Sequence, residues 1–226
     1  NQLIDDNKIV AIQNFVENNI NPNELELEKI IKTKKEKQQL QILYLSNFIK
    51  EKGYQEVLKI AKQLEKRNDK RFKFVFAGLF FDNKEKEVFE TLIKNSRFKD
   101  FVEYRGPVYG KEKQQLLSES DIFILLTYYI KEGQPISIIE AMANGQAIIS
   151  TKHAGIPFLV NKNGGKLFHY SDLDKIIDYL DFLYNNRDEL IKISINNINR
   201  VKNEFTKEKH IDNMINLFRE CFKDEV

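Results

Sequence analysis

Two acids eight positions apart bracket a turn and the start of a helix. They are Glu132 and Glu140, in the string Lys131-Glu132-Gly133-Gln134-Pro135-Ile136-Ser137-Ile138-Ile139-Glu140-Ala141-Met142-Ala143-Asn144-Gly145. Proline suits the first helical position, where its missing N–H loses no intrahelical bond, and glycine suits the position just past the end. Ile148-Ile149-Ser150 then reads as a strand. Glu132 therefore stands at the mouth of a short helix and Glu140 about a turn inside it. The exposed amides at that mouth, aided by the helix dipole, suit an anion such as a diphosphate. This makes Gly133, Gln134, Pro135, Ile136 and Ser137 candidate ligand contacts, and a carboxylate at Glu140 can reach a sugar hydroxyl of the same ligand.

The string resembles the glutamate–seven residues–glutamate motif of retaining glycosyltransferases with two Rossmann-like domains (the GT-B architecture), in particular glycosyltransferase family 4. Glu132, Gly133, Ile136, Glu140, Ala141, Met142, Ala143 and Gly145 fit the pattern. Gln134-Pro135 stands where many members have Phe-Gly, and Ala147 where many have proline. A second segment, Ser46-Asn47-Phe48-Ile49-Lys50-Glu51-Lys52-Gly53, is similar to the family's G-R-L-x-x-x-K-G loop, whose Arg and Lys hold the diphosphate. Lys52-Gly53 matches. Asn47 replaces the arginine and can offer only a neutral hydrogen bond. Tyr104-Arg105-Gly106-Pro107-Val108 resembles the segment that meets the nucleotide base, so Arg105 either stacks on a base or holds the surface.

The resemblance implies transfer of a sugar from a nucleoside diphosphate sugar, a UDP- or GDP-sugar, with retention at the anomeric carbon. In that picture Lys52 and the amides near 135–137 stabilise the departing diphosphate. Glu140 binds the ribose hydroxyls, and Glu132 faces the donor sugar; Glu132 and Lys52 are the catalytic candidates. No cofactor and no bound metal are implied. Lys8-Ile9-Val10-Ala11-Ile12-Gln13-Asn14 is similar to the strand that precedes the C-terminal domain of the family. The expectation is thus an interdomain segment and linker over 1–39, and a nucleotide-sugar-binding domain over 40–226. The N-terminal acceptor domain would be missing, and the isolated chain would show no transferase activity. The full-length protein would act on a glycan or lipid-linked acceptor, which also fits peripheral association with a membrane surface.

The elements that must position these residues follow from periodicity. Short apolar runs at 41–46, 72–77, 101–104, 122–126 and 147–150 read as strands, with a last edge strand near 167–168. Between them lie helical patterns, the clearest at 54–67 with apolar residues at 54, 57, 58, 61 and 64. The pattern at 84–95 points Val88, Phe89, Leu92 and Ile93 inward. A charged run at 24–39 has no long apolar face and reads as a linker or a short exposed helix. Three helices close the chain, about 172–186, 188–204 and 207–223, with Ser171 and Thr206 as caps. Alternating strands and helices argue for an α/β fold, a doubly wound Rossmann-like parallel sheet of about six strands. Ligands of such sheets bind beyond the carboxyl ends of the strands, where strand order reverses.

Composition narrows the rest. The 226 residues carry a net charge of +2, with lysines mixed among glutamates, so no nucleic-acid partner is indicated. The single cysteine, Cys221, excludes an internal disulfide and a cysteine-based zinc site. No apolar run approaches the ~20 residues that span a bilayer, and a cytoplasmic location fits. The chain's abundant Lys, Asn and Ile suggest an AT-rich bacterial genome and are compatible with surface polysaccharide synthesis. Two other readings remain at this point: a sugar-nucleotide epimerase of the same architecture, and a binding module that has lost activity.

Overall fold

Six parallel strands form one sheet in a computed structural model that describes residues 10–16, 22–94 and 98–223. The chain runs α1 (Glu24–Glu36), β1 (Leu40–Leu45), α2 (Tyr54–Lys66), β2 (Phe72–Ala77), α3 (Asn83–Lys94), β3 (Val102–Tyr104), α4 (Gly110–Glu119) and β4 (Ile122–Leu125). It continues through α5 (Ile136–Ala143), β5 (Ala147–Thr151), α6 (Ile156–Leu159), β6 (Gly165–Phe168), α7 (Leu173–Asn185), α8 (Arg187–Glu204) and α9 (Lys207–Lys223). The strand order is β3-β2-β1-β4-β5-β6. β1 pairs with β4 through Ile42 and Ile122, and Leu43 and Phe123. The chain leaves β1 toward β2 and leaves β4 toward β5, so the gap between these two strands is where the winding reverses. Right-handed crossovers in opposite directions put their helices on opposite faces. Accordingly α2 packs with α7, whereas α5 and α1 pack with α8.

The central strands are buried on both faces, which is why they read as continuous apolar runs rather than alternating ones. Ile122, Phe123 and Ile124 are fully buried, as are Phe72, Phe74 and Phe76. Helix α2 buries the five residues its period marks: Tyr54, Val57, Leu58, Ala61 and Leu64. In α3 the inward row is Phe89 and Ile93, while Val88 is 69% exposed. Adjacent helical positions diverge by about 100°, and the larger Phe89 takes the sheet side.

Residues 24–36 form a full helix opened by a capping box between Asn23 and Glu26. It is not merely exposed: Leu27, Ile30 and Lys34 are buried. Residues 10–16 form no strand, and residues 8 and 9 lie outside the described part. This segment instead runs along the end of α8, where the Val16 amide donates to the Phe205 carbonyl (3.1 Å). Thr206 caps α9 by accepting from the Lys209 amide (3.3 Å). Ser171 does not cap α7, because its hydroxyl pairs with His169 Nδ1 (2.7 Å) and the residue before the helix is Asp172. Among the described residues no helix is long and apolar enough to cross a membrane.

Candidate functional site

The loops that leave β1 and β4 touch at the reversal point. After β1 the chain makes a single 3₁₀ turn over Lys50–Lys52 and reaches Gly53 in the left-handed region (φ 80°). A Cβ there would stand 2.3 Å from the Leu126 carbonyl oxygen, so only glycine lets the two backbones approach this closely. The Tyr128 amide donates to the Glu51 carbonyl (2.8 Å), which also lies 3.3 Å from the Thr127 hydroxyl oxygen, and the Tyr129 amide donates to that hydroxyl (3.2 Å). These bonds tie the turn carrying Lys52 to the loop carrying Glu132.

The result is an ion pair. Lys52 Nζ lies 2.8 Å from Glu132 Oε2, and the Thr127 hydroxyl donates to the same oxygen (3.0 Å). The Glu132 side chain is 7% exposed and that of Lys52 16%. Lys52 Nζ also sits 5.1 Å from the Tyr129 ring centroid, a cation–π arrangement that helps hold the ammonium in place. Among the described residues the hydrogen bonds of this carboxylate all fall on Oε2, so Oε1 keeps its acceptor capacity unused.

Helix α5 follows. Pro135 precedes it (φ −65°), and the helix ends at Asn144 and Gly145, the latter left-handed at φ 67°. Ile136 and Ser137 head the helix, so their amides have no partner within it. Glu140, one turn further, is almost wholly buried, and its Oε1 meets Lys113 Nζ from α4 at 2.6 Å. Burial raises the Glu140 pKa, and the Lys113 ammonium pulls it partly back. Each of the two acids thus has its own lysine, supplied by a different element.

The remaining sequence candidates are distributed around this centre. Gly133 is exposed and its carbonyl accepts from the Gly155 amide (3.0 Å), which packs the loop after β5 against the Glu132 turn. Gln134 is engaged by the N-terminal segment: its Oε1 accepts from the Asn14 amide (2.5 Å) and its carbonyl from Asn14 Nδ2 (3.0 Å). Asn47 is exposed on the turn after β1, and its carbonyl accepts from the Tyr44 hydroxyl (3.2 Å). Arg105 pairs with Glu103, which also binds Lys73 (2.5 Å), so its guanidinium is held along the outer edge of the sheet. Sequence reasoning gave no role to Lys113 or Thr127. Neither lies in a distinctive motif, and both find their partners through tertiary packing.

Comparison with known proteins adds a family to this geometry. Residues 26–200 match the family described as glycosyl transferases group 1. The chain belongs to that family. It is 28% identical over 130 residues to the amylovoran biosynthesis glycosyltransferase AmsK of Erwinia amylovora, a match covering 56% of this chain and 31% of that protein. The fold is similar to a glycosyltransferase from Rickettsia africae ESF-5, with a TM-score of 0.77 and 21% identity over 97% of this chain and 59% of the other. It is also similar to Anabaena HepE crystallised with UDP, at a TM-score of 0.76 and 15% identity over 92% of this chain and 57% of HepE. The group 1 chain therefore carries a Rossmann-like GT-B domain, and it spans about a third of the length of AmsK and less than two thirds of the Rickettsia protein and of HepE.

Proposed function

We propose that this chain is the donor-binding half of a retaining glycosyltransferase and holds a nucleoside diphosphate sugar in the crevice between the β1 and β4 loops. The observation that carries the reading is the Lys52–Glu132 pair at the reversal point, beside the mouth of α5. A diphosphate entering there meets the Lys52 ammonium and the Ile136 and Ser137 amides. Lys52 exchanges its carboxylate for phosphate oxygens, and Glu132 turns its free capacity to the donor sugar. As the glycosidic bond to the diphosphate breaks, the ammonium, the amides and the helix dipole stabilise the charge on the leaving group. Glu140, a turn deeper, accepts from the ribose hydroxyls, with Lys113 keeping it ionised for that task. The reading assigns no resident metal or cofactor.

Interdomain closure brings donor to acceptor and excludes water. The reading accordingly assigns the acceptor to a second domain, segment 1–39 to the junction, and little transfer activity to residues 1–226 alone. That HepE was crystallised with UDP supports the nucleotide part of the proposal, and AmsK, named for amylovoran biosynthesis, supports a glycan acceptor. The family match favours transfer over epimerisation. The location in this reading is the cytoplasmic face of a membrane where lipid-linked acceptors reside. Thermal-shift screening with UDP, GDP, ADP and their sugars tests the proposal. At about 100-fold its dissociation constant the right nucleotide adds about 2.7 kcal/mol of stability; no shift with any of them would remove the reading.

A further inference from the structure

A hollow of about 920 Å³ opens over the carboxyl ends of β4, β5 and β6, with α7 as its far wall. Its size falls within the range of small-molecule sites. It borders the donor crevice through Thr127 and Tyr128, yet neither Lys52 nor Glu132 lines it. Two kinds of surface face the space. Aromatic rings form one: Tyr128 and Tyr170 lie 4.4 Å apart between centroids, and Tyr179 stacks with Phe182 at 6.0 Å. Cations form the other. Lys152 and Lys166 are exposed, and among the described residues neither has a carboxylate partner. Lys166 is not loose, because its ammonium sits 5.3 Å and 5.2 Å from the ring centroids of Phe168 and Tyr179.

Ring faces suit the C–H face of a sugar, and ammonium groups without a carboxylate partner, one of them held against aromatic rings, suit a carboxylate or phosphate. Asp178, on the α7 wall, offers an acceptor to hydroxyls. We propose that this hollow binds an acidic saccharide, a sugar ring carrying a carboxylate or phosphate, as the part of the acceptor that reaches across to the donor half. Its role as acceptor rests on the transferase reading; the saccharide site itself does not.

The test is titration of the 226-residue protein, followed by NMR, with two matched pairs of ligands: cellobiose against cellobiouronic acid, and glucose against glucose 6-phosphate. UDP is titrated in parallel. The acidic member of at least one pair binds about tenfold or more tightly than its neutral partner, the scale of one charge-assisted contact, and the pair that shows it identifies the anion. Lys152→Gln and Lys166→Gln, both at exposed positions, remove that margin and leave UDP affinity unchanged. Equal affinities within both pairs, or a preference that survives both substitutions, would overturn the proposal. Displacement of the acidic sugar by UDP would also overturn it, by placing the sugar in the donor crevice. If UDP does not bind, the donor reading fails, while the acidic preference and its loss in the two variants still decide the saccharide site.

Discussion

Lys52 and Glu132 approach from the two strands that flank the reversal of the sheet and meet at 2.8 Å. Eighty residues of sequence separate them, and the contact depends on the backbone-to-backbone approach at Gly53. The pair places a cation and an acid beside a helix mouth, with the cation already neutralised before any ligand arrives. A diphosphate must therefore compete with Glu132 for Lys52.

That competition predicts opposite effects at the pair. Glu132→Gln frees the Lys52 ammonium, so a bare nucleoside diphosphate binds as tightly as to the wild type or more tightly. The added affinity contributed by the sugar shrinks in the same variant. Calorimetry with the diphosphate and with the matching sugar nucleotide reads both changes. A Glu132→Gln protein that loses diphosphate affinity while keeping sugar discrimination would show that the acid's role is misassigned.

Glu140 is predicted to trade stability for binding. Burial raises its pKa in the fold above the ordinary value of 4.5, so Glu140 ionises at higher pH in the fold than in the unfolded chain. Stability from this group is present at low pH and is lost as pH rises through the folded pKa. Glu140→Gln should match the wild type in acid and exceed it near neutral pH in urea unfolding. The same variant should bind the nucleoside diphosphate about tenfold more weakly, the scale of a charge-assisted hydrogen bond. A variant less stable than wild type near neutral pH would contradict the burial argument.

Lys34 makes a prediction about the junction between α1 and the sheet. It is buried, donates to the Ser120 and Asp121 carbonyls (3.1 and 3.3 Å), and lies 3.7 Å from the Asp121 carboxylate. Burial lowers its pKa to about 8 from 10.5, although Asp121 opposes the shift. The folded state thus prefers the neutral amine. Stability from this group is fully present above the unfolded pKa and falls as pH drops toward about 8, so the wild type gains stability between about 8 and 10.5. Lys34→Met should lack that rise, while Asp121 keeps Lys37 (2.8 Å) as a partner. Identical pH profiles for the two proteins would rule out the assignment.

Gly53→Ala is predicted to destabilise by more than about 1 kcal/mol, since alanine is strained at positive φ and its Cβ overlaps the Leu126 backbone. Diphosphate affinity should fall with it, because Lys52 moves with the turn. Denaturant midpoints and one titration check both.

Much of this was legible in the sequence, and the reasons are local. The five apolar positions of α2, the apolar run of β4 and the Pro-to-Gly bounds of α5 each announce an element through spacing alone. The Glu132 and Lys52 candidates were legible because they follow strands and sit in a recognisable string. What stayed hidden depends on partners distant in sequence. Lys34 sits in a charged run and reads as solvated, yet its partners at Ser120 and Asp121 lie more than eighty residues away. Lys113 gives no local sign of its pairing with Glu140. Gln134 looks like a free helix-mouth residue until Asn14 folds onto it. Val88 and Ser171 failed for a different reason: a neighbour, Phe89 or His169, takes the inward place or the hydroxyl.

The central claim is that Lys52 meets a diphosphate in the β1–β4 crevice. Calorimetric titration of UDP, or whichever nucleoside diphosphate the screen selects, into wild type and Lys52→Met tests it most directly. Loss of a charge-assisted contact predicts affinity weaker by about tenfold to a hundredfold in the variant, with the fold intact by circular dichroism. Equal affinity in the two proteins would contradict the account and place the phosphates elsewhere.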